Sequence, residues 1–296
     1  MDYESFRNEV KNRLLSYLPK EWEGCRVEIH THYKVNLKLD AVTVRPPEEL
    51  QNAKNAYPVF YVQDLYELYQ AENDLGRILR YAAGVISKTS LPDEIAQRGM
   101  EFEDIKENLM VQVINAELNE ELLRTLPHRR ILDLAVIYRV VVISDDGHIS
   151  GMPVTHDLRK SWNVTEKILY DTAMENTPAF VPFQMRDTGQ ILFGKHAMEA
   201  KKNRMLFLSN SITTFGAAVL LYTDILDMAA EELEGDMILM PASLHEIYAV
   251  KDEPEKYALW RETVRNANQK YVSREEWLSD CIYKYSRKDK TVTLLL

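Results

Sequence analysis

The sequence predicts an α+β protein of mostly antiparallel sheets built from hairpins and covered by amphipathic helices. Three observations predict it. Residues 25–41 alternate apolar and polar side chains with a period of two on both sides of a short turn, the pattern of a half-buried hairpin. Ile131 to Ile143 is apolar and rich in Val and Ile, with only Asp133 and Arg139 charged, so it reads as one long strand buried on both faces. Asp146-Gly147 follows it, a turn signal because the turn needs positive φ, and Ile149 to Val154 is the return strand. Helical spacing appears between these hairpins rather than after every strand, which argues against a parallel sheet.

Taken in order, Tyr3, Phe6, Val10, Leu14 and Tyr17 line one face of a first helix that Pro19 stops. Val27 to Ala41 forms the hairpin, with its turn near Tyr33 and Glu28 expected beside Lys38. Pro46-Pro47 opens a polar loop. Leu65, Leu68 and Tyr69 mark a helix, and Asp74 caps the next, with Leu75, Ile78, Leu79, Ala82 and Ile86 inward. Another loop spans Pro92 to Gly99. A short helix at Phe102 and Ile105, a strand at 109–114 and a short helix at 120–126 lead into the long apolar run. Beyond residue 154, Thr155 and Thr165 cap helices, and 186–204 is a mixed connection ending in Lys201-Lys202-Asn203-Arg204. Strands are expected at 205–208, 217–222, 236–240, 245–250, 281–286 and 291–295. Helices are expected at 223–234 and 254–269. The length suits roughly two domains of about 150 residues, expected at 1–155 and 156–296.

The chain has 36 Lys and Arg against 46 Asp and Glu, a net charge of −10. General nucleic-acid binding, which rewards clustered Lys and Arg, is not expected. Cys25 and Cys281 stand far apart in no metal-ligand spacing, which suits reduced thiols in the cytoplasm. Met1-Asp2-Tyr3-Glu4 does not begin a signal peptide. No apolar run approaches the ~20 residues a membrane span needs.

Four groups of residues carry candidate chemistry. His128-Arg129-Arg130 offers an imidazole and two guanidinium groups suited to a carboxylate or phosphate, the alternative being internal ion pairs. If this run is extended, Arg129 and Arg130 point to opposite faces. Asp133, a charge in an apolar strand, must be paired, hydrogen-bonded or protonated, and an Arg is the expected partner. Ser243, His245 and Glu246 include a nucleophile, a base and an acid, without the Gly-x-Ser-x-Gly elbow of a hydrolase; a turn in which the serine hydroxyl caps backbone is the simpler reading. His30 and His32 share a strand face but lack a third metal ligand nearby in sequence.

Leu126–Val136 (LPHRRILDLAV), Gly216–Tyr222 (GAAVLLY) and Met237–Glu246 (MILMPASLHE), in that order, resemble a bacterial domain-of-unknown-function family numbered 5688. The likeness extends to the N-terminal Tyr3, Phe6 and Val10 and to Leu278-Ser279-Asp280. It implies no activity, cofactor or catalytic residue. The expectation is therefore a non-enzymatic cytoplasmic binding or regulatory module. It would have no cofactor or metal, and a protein is the candidate partner. The alternative is an enzyme of unassigned class acting on an anionic group near His128, Arg129 and Arg130.

Overall fold

The structure is a computed structural model that describes residues 1–45, 60–88, 101–143, 149–188 and 204–295. The expected Pro46-Pro47 and Pro92–Gly99 loops, the Asp146-Gly147 turn and the basic run at 201–203 lie outside these residues. The chain divides into two compact units, residues 1–100 and 101–296. The fold is α+β, and every strand pairing is antiparallel among the described residues.

The first unit holds a three-stranded sheet of β1 (Arg26–Lys34), β2 (Leu37–Arg45) and β3 (Phe60–Tyr61). Helices α1 (Tyr3–Arg13), α2 (Val62–Glu72) and α3 (Leu75–Lys88) accompany it. Phe6, Val10, Leu65, Ile78, Leu79 and Ala82 meet Val42 and Val44 in one core, as the helical and two-residue periods require. The turn falls at Val35-Asn36, where Asn36 takes a positive φ of 61°, and not at Tyr33. Asn tolerates that conformation and so fixes the register. Glu28 consequently faces Thr43 rather than Lys38, and its ion pairs are with Arg26 (2.8 Å) and Arg45 (3.2 Å).

Among the described residues the second unit contains two sheets. In the smaller, β6 (Leu134–Ile143) is the central strand. Strand β4 (Leu109–Asn115) pairs along one flank. Strands β5 (His128–Ile131) and β7 (Ile149–Pro153) share the other flank end to end. Residues 134–141 of β6 are almost wholly inaccessible, with Arg139 the half-buried exception. The single long strand expected over Ile131 to Ile143 is in fact the end of β5, a two-residue turn at Leu132-Asp133, and β6. Apolar character conceals this turn because Leu132 itself adopts positive φ, 55°.

Helices α4 (Phe102–Ile105), α5 (Glu120–Leu123) and α6 (His156–Ser161) are short, and α7 (Glu166–Phe180) lies along β4. There the Thr177 hydroxyl accepts from the Val111 N–H at 3.0 Å and Asn176 Nδ2 donates to the Lys106 carbonyl at 2.7 Å. The boundary expected at 155/156 falls inside this unit, between elements that these bonds join.

The larger sheet has six strands: β8 (Phe183–Asp187), β9 (Met205–Asn210), β10 (Met237–Pro241), β11 (Ile247–Lys251), β12 (Ile282–Ser286) and β13 (Thr291–Leu295). Their order is β13-β12-β10-β11-β9-β8. Helices α8 (Thr223–Glu232) and α9 (Tyr257–Tyr271) accompany this sheet; Val264 and Trp260 of α9 pack with Ile238, Met240 and Ile282. Of residues 217–222, expected as a strand, 217–221 belong instead to a buried 3-10 segment, Gly216–Leu221, which Tyr222 ends. It follows two residues in left-handed backbone, Thr213 (φ 52°) and Phe215 (φ 56°), which turn the chain off the line of β9.

Candidate functional site

The β5–β6 hairpin disperses the candidates His128, Arg129, Arg130 and Asp133. Asp133 sits in the turn, not in a strand, and among the described residues its side-chain partners are a serine and a tyrosine rather than an arginine. Its Oδ2 accepts from the Ser279 hydroxyl at 2.6 Å and its Oδ1 from the Tyr283 hydroxyl at 2.8 Å. Its carbonyl accepts from the Ala116 N–H at 3.0 Å. One carboxylate therefore joins the tip of the smaller sheet to β12 of the larger. Burial, and the negative charge of Asp133, push the Tyr283 phenol far above its ordinary value.

Strand β5 alternates, so Arg129 faces one side of the sheet and His128 and Arg130 the other. The Arg129 guanidinium makes a two-pronged bond to Glu166, Nε to Oε1 at 2.8 Å and Nη2 to Oε2 at 3.2 Å. It also lies 3.7 Å from the centre of the Tyr170 ring. The Tyr138 hydroxyl donates to the same Glu166 oxygen. This hydrogen bonding raises Arg129 above its ordinary value, and burial with the bond to Glu166 pushes Tyr138 well up. Arg129 is thus the tie between β5 and α7.

On the opposite face, His128 Nδ1 lies 2.8 Å from the Leu126 carbonyl, so that nitrogen carries a proton and Nε2 is left as the acceptor. Arg130 is exposed. The β5–β6 register sets His128 beside Ile137 and Arg130 beside Ala135, and Arg139, two residues beyond Ile137, projects from the same face. Arg139 Nη2 donates to the Gly151 carbonyl at 2.7 Å, while Nη1 reaches Gln112 Oε1 only at 3.4 Å. Its Nε is inaccessible and has no acceptor. The guanidinium lies 5.3 Å from the centre of the Phe215 ring. Burial lowers its pKa.

Ser243, His245 and Glu246 form the turn between β10 and β11. His245 precedes the strand that was expected to begin with it. Ser243 Oγ accepts from the His245 main-chain N–H at 2.9 Å, and the Glu246 carbonyl accepts from the N–H groups of Ala242 (3.2 Å) and Ser243 (3.4 Å). The imidazole acts elsewhere: Nδ1 accepts from the Phe215 N–H at 3.1 Å. The neutral ring therefore carries its proton on Nε2, which faces Glu276 Oε1 at 3.6 Å. The Ser209 hydroxyl donates to the His245 carbonyl at 2.7 Å. Asn210 organises the same loop, its Oδ1 accepting from Ile212 and Thr214 N–H groups and its Nδ2 donating to the Thr214 carbonyl. His245 thus holds Phe215 in place beneath Arg139.

The structure therefore groups His128, Arg130 and Arg139 on one sheet face and leads from Arg139 through Phe215 to His245. It sets Arg129 on the other face and Asp133 in the turn between β5 and β6. Gln112, Arg139, Phe215 and Glu166 are the participants that sequence reasoning did not select. Arg139 was visible as a charge in an apolar run. Glu166, 37 residues from Arg129, carries no local signal. His30 lies exposed on β1 and the His32 ring is 5.8 Å from that of Tyr61. Among the described residues no three metal-binding side chain types are grouped.

These features define an antiparallel α+β protein in which most of the candidate polar groups support the sheets and their turns. The chain belongs to a family of unknown function (DUF5688), whose profile matches residues 3–287. No curated protein and no solved structure matches the chain. Among the described residues, no helix is long and apolar enough to cross a membrane.

Proposed function

We propose that this protein is a non-enzymatic binding or regulatory module that works in the cytoplasm, with a protein as one candidate partner and without general nucleic-acid binding. The observation that carries the reading is the wiring of the Ser243–Glu246 turn. A serine nucleophile needs its hydroxyl proton aimed at an imidazole nitrogen. Here Ser243 Oγ is held by the His245 main chain, and His245 Nδ1 is held by the Phe215 N–H. Arg129, one of the three anion-binding candidates of the sequence reading, is engaged by Glu166. The free thiols Cys25 and Cys281 fit a reducing compartment.

The test uses the purified full chain with ester, amide and phosphoester substrates, alongside Ser243→Ala and His245→Gln. The expected result is no turnover by any of the three proteins and a lower melting temperature for both variants. Turnover by the parent that disappears in either folded variant would overturn the reading in favour of an enzyme acting on an anionic substrate.

A further inference from the structure

We propose that the loop Ser211–Phe215 carries a proton-operated latch: a neutral His245 imidazole holds Phe215 against Arg139, and protonation of that ring releases it. The inference adds a mode of regulation to the binding reading and does not depend on it.

The loop leaves β9 of the larger sheet and meets the smaller one. Ile212 packs with Met110 of β4, Val141 of β6 and Val181. Phe215 lies against Arg139 of β6, whose Cζ is 5.3 Å from the ring centre. Two residues of the loop, Thr213 and Phe215, stand in left-handed backbone. A β-branched residue and a bulky aromatic suit that conformation poorly, so surrounding contacts must hold them in it.

Most of those contacts do not respond to pH near neutrality. The Ser211 N–H donates to the Pro182 carbonyl at 2.9 Å and the Thr213 N–H to the Asn210 carbonyl at 3.1 Å. The Asn210 amide holds Ile212 and Thr214. Phe215 is held differently. Its N–H donates to His245 Nδ1 at 3.1 Å, and its ring stacks on the imidazole with centroids 6.0 Å apart. An imidazole nitrogen accepts only while it carries no proton. Once the ring is charged both nitrogens donate, and Nδ1–H meets the Phe215 N–H head on. Histidine makes this change between about pH 5 and 8 in ordinary surroundings. The proton comes from solvent, which reaches a side chain that is 24% exposed.

The charges around the ring act in both directions. Glu276 Oε1, from the 274–276 segment, lies 3.6 Å from Nε2 and favours the charged form. On the same segment Glu275 is exposed and Arg274 lies over the Trp277 ring, 4.7 Å from its centre. Glu246 follows His245 in the turn; burial first, and then its charge, raise Tyr248 of β11 above the ordinary value. Arg139 opposes protonation from β6, across the Phe215 ring. Strand β9 (MLFLSN) and Gly216–Leu221 (GAAVLL) carry no charged side chain. Withdrawal of Phe215 takes the aromatic cover off Arg139, so one protonation beside the larger sheet changes what the smaller sheet presents.

The test follows the full, isotope-labelled chain by NMR from about pH 8 to about pH 5. The His245 ring signals and the Phe215 amide should shift with one common midpoint. Below it, the protection of that amide, corrected for the intrinsic pH dependence of exchange, should fall about tenfold or more, the scale of one lost hydrogen bond. In His245→Asn the Oδ1 supplies an acceptor that does not titrate, so the Phe215 amide should no longer respond to pH. Glu276→Gln, at a half-exposed side chain, should move the midpoint down by about half a pH unit, and it keeps the test decisive if His245→Asn does not fold. A Phe215 amide that ignores the His245 titration, a response that persists in His245→Asn, or a ring that stays neutral until the whole chain unfolds overturns the latch. None of these signals reads turnover, so the non-enzymatic reading stands or falls by its own test.

Discussion

Leu132 occupies left-handed backbone at the tip of a hairpin, φ 55°, with its side chain 48% exposed. A branched apolar side chain gains little there, and the conformation costs an L-residue roughly 1–2 kcal/mol. Leu132→Asn should therefore stabilise the second unit by about 0.5–1 kcal/mol in urea denaturation, because Asn accepts this backbone readily. No change, or a loss, would mean that the leucine makes a contact worth more than the strain. Its neighbour Asp133 behaves oppositely. Asp133→Ala strands the hydroxyls of Ser279 and Tyr283, and Tyr283 is fully buried. The expected cost is about 2 kcal/mol, the scale of an unsatisfied buried polar group, and Tyr283→Phe in the same background should recover part of it. Sequence reasoning saw that Asp133 needed a partner but selected an arginine because Arg129 and Arg130 are close in the chain. The actual partners lie 146 and 150 residues away, a distance across which local patterning carries no information. For the same reason the opposite facing of Arg129 and Arg130, a local consequence of strand alternation, was legible, whereas Glu166 was not.

At the scale of elements, periodicity located the β1–β2 hairpin and the long helices because each has its own characteristic repeat, whereas β4 and β10, buried on both faces, were legible only as short apolar runs. It failed at residues 217–222, where Ala217, Ala218, Val219 and Leu220 are all buried and an all-round apolar run has no period to read. The local cause of the 3-10 segment is Gly216. A Cβ at this position would overlap the His245 carbonyl oxygen and the Ser209 hydroxyl and come within 3.0 Å of the Asn210 nitrogen. Gly216→Ala must therefore push apart β9 and the β10–β11 turn, at a cost of about 1–3 kcal/mol, with loss of the Phe215–His245 bond. The change in stability can be read by chemical denaturation. The broken bond should appear as a changed proton-exchange rate at the His245 ring in NMR spectra. Gly84, on the exposed side of α3, is the counterpart: a Cβ there meets nothing within 4 Å. Gly84→Ala should stabilise the first unit by about 0.5–1 kcal/mol through helix propensity alone. If both substitutions destabilised to the same degree, the steric account of Gly216 would lose its force.

At the scale of the molecule, the second unit is linked by phenols donating to carboxylates on other elements. Tyr138 of β6 donates to Glu166 of α7, Tyr283 of β12 to Asp133 of the β5–β6 turn, and Tyr285 of β12 to Asp227 of α8. Burial raises all three pKa values above the ordinary value of 10.0, and the carboxylate partners raise them further. Because the folded value lies above the unfolded one, the folded state binds more protons than the unfolded chain once the pH passes about 10. The stabilisation is therefore complete below that pH and is lost progressively above it. The three bonds join different elements, so their loss should not be local. Alkaline titration followed at the phenolate absorbance should show these tyrosines ionising late and together, in the same pH interval in which near-ultraviolet circular dichroism collapses. Tyr138→Phe should remove one phenol from that late step and leave the others coupled to unfolding. Ordinary, independent ionisation near pH 10 with the tertiary signal intact would show that the phenol–carboxylate bonds do not govern the cohesion of the unit.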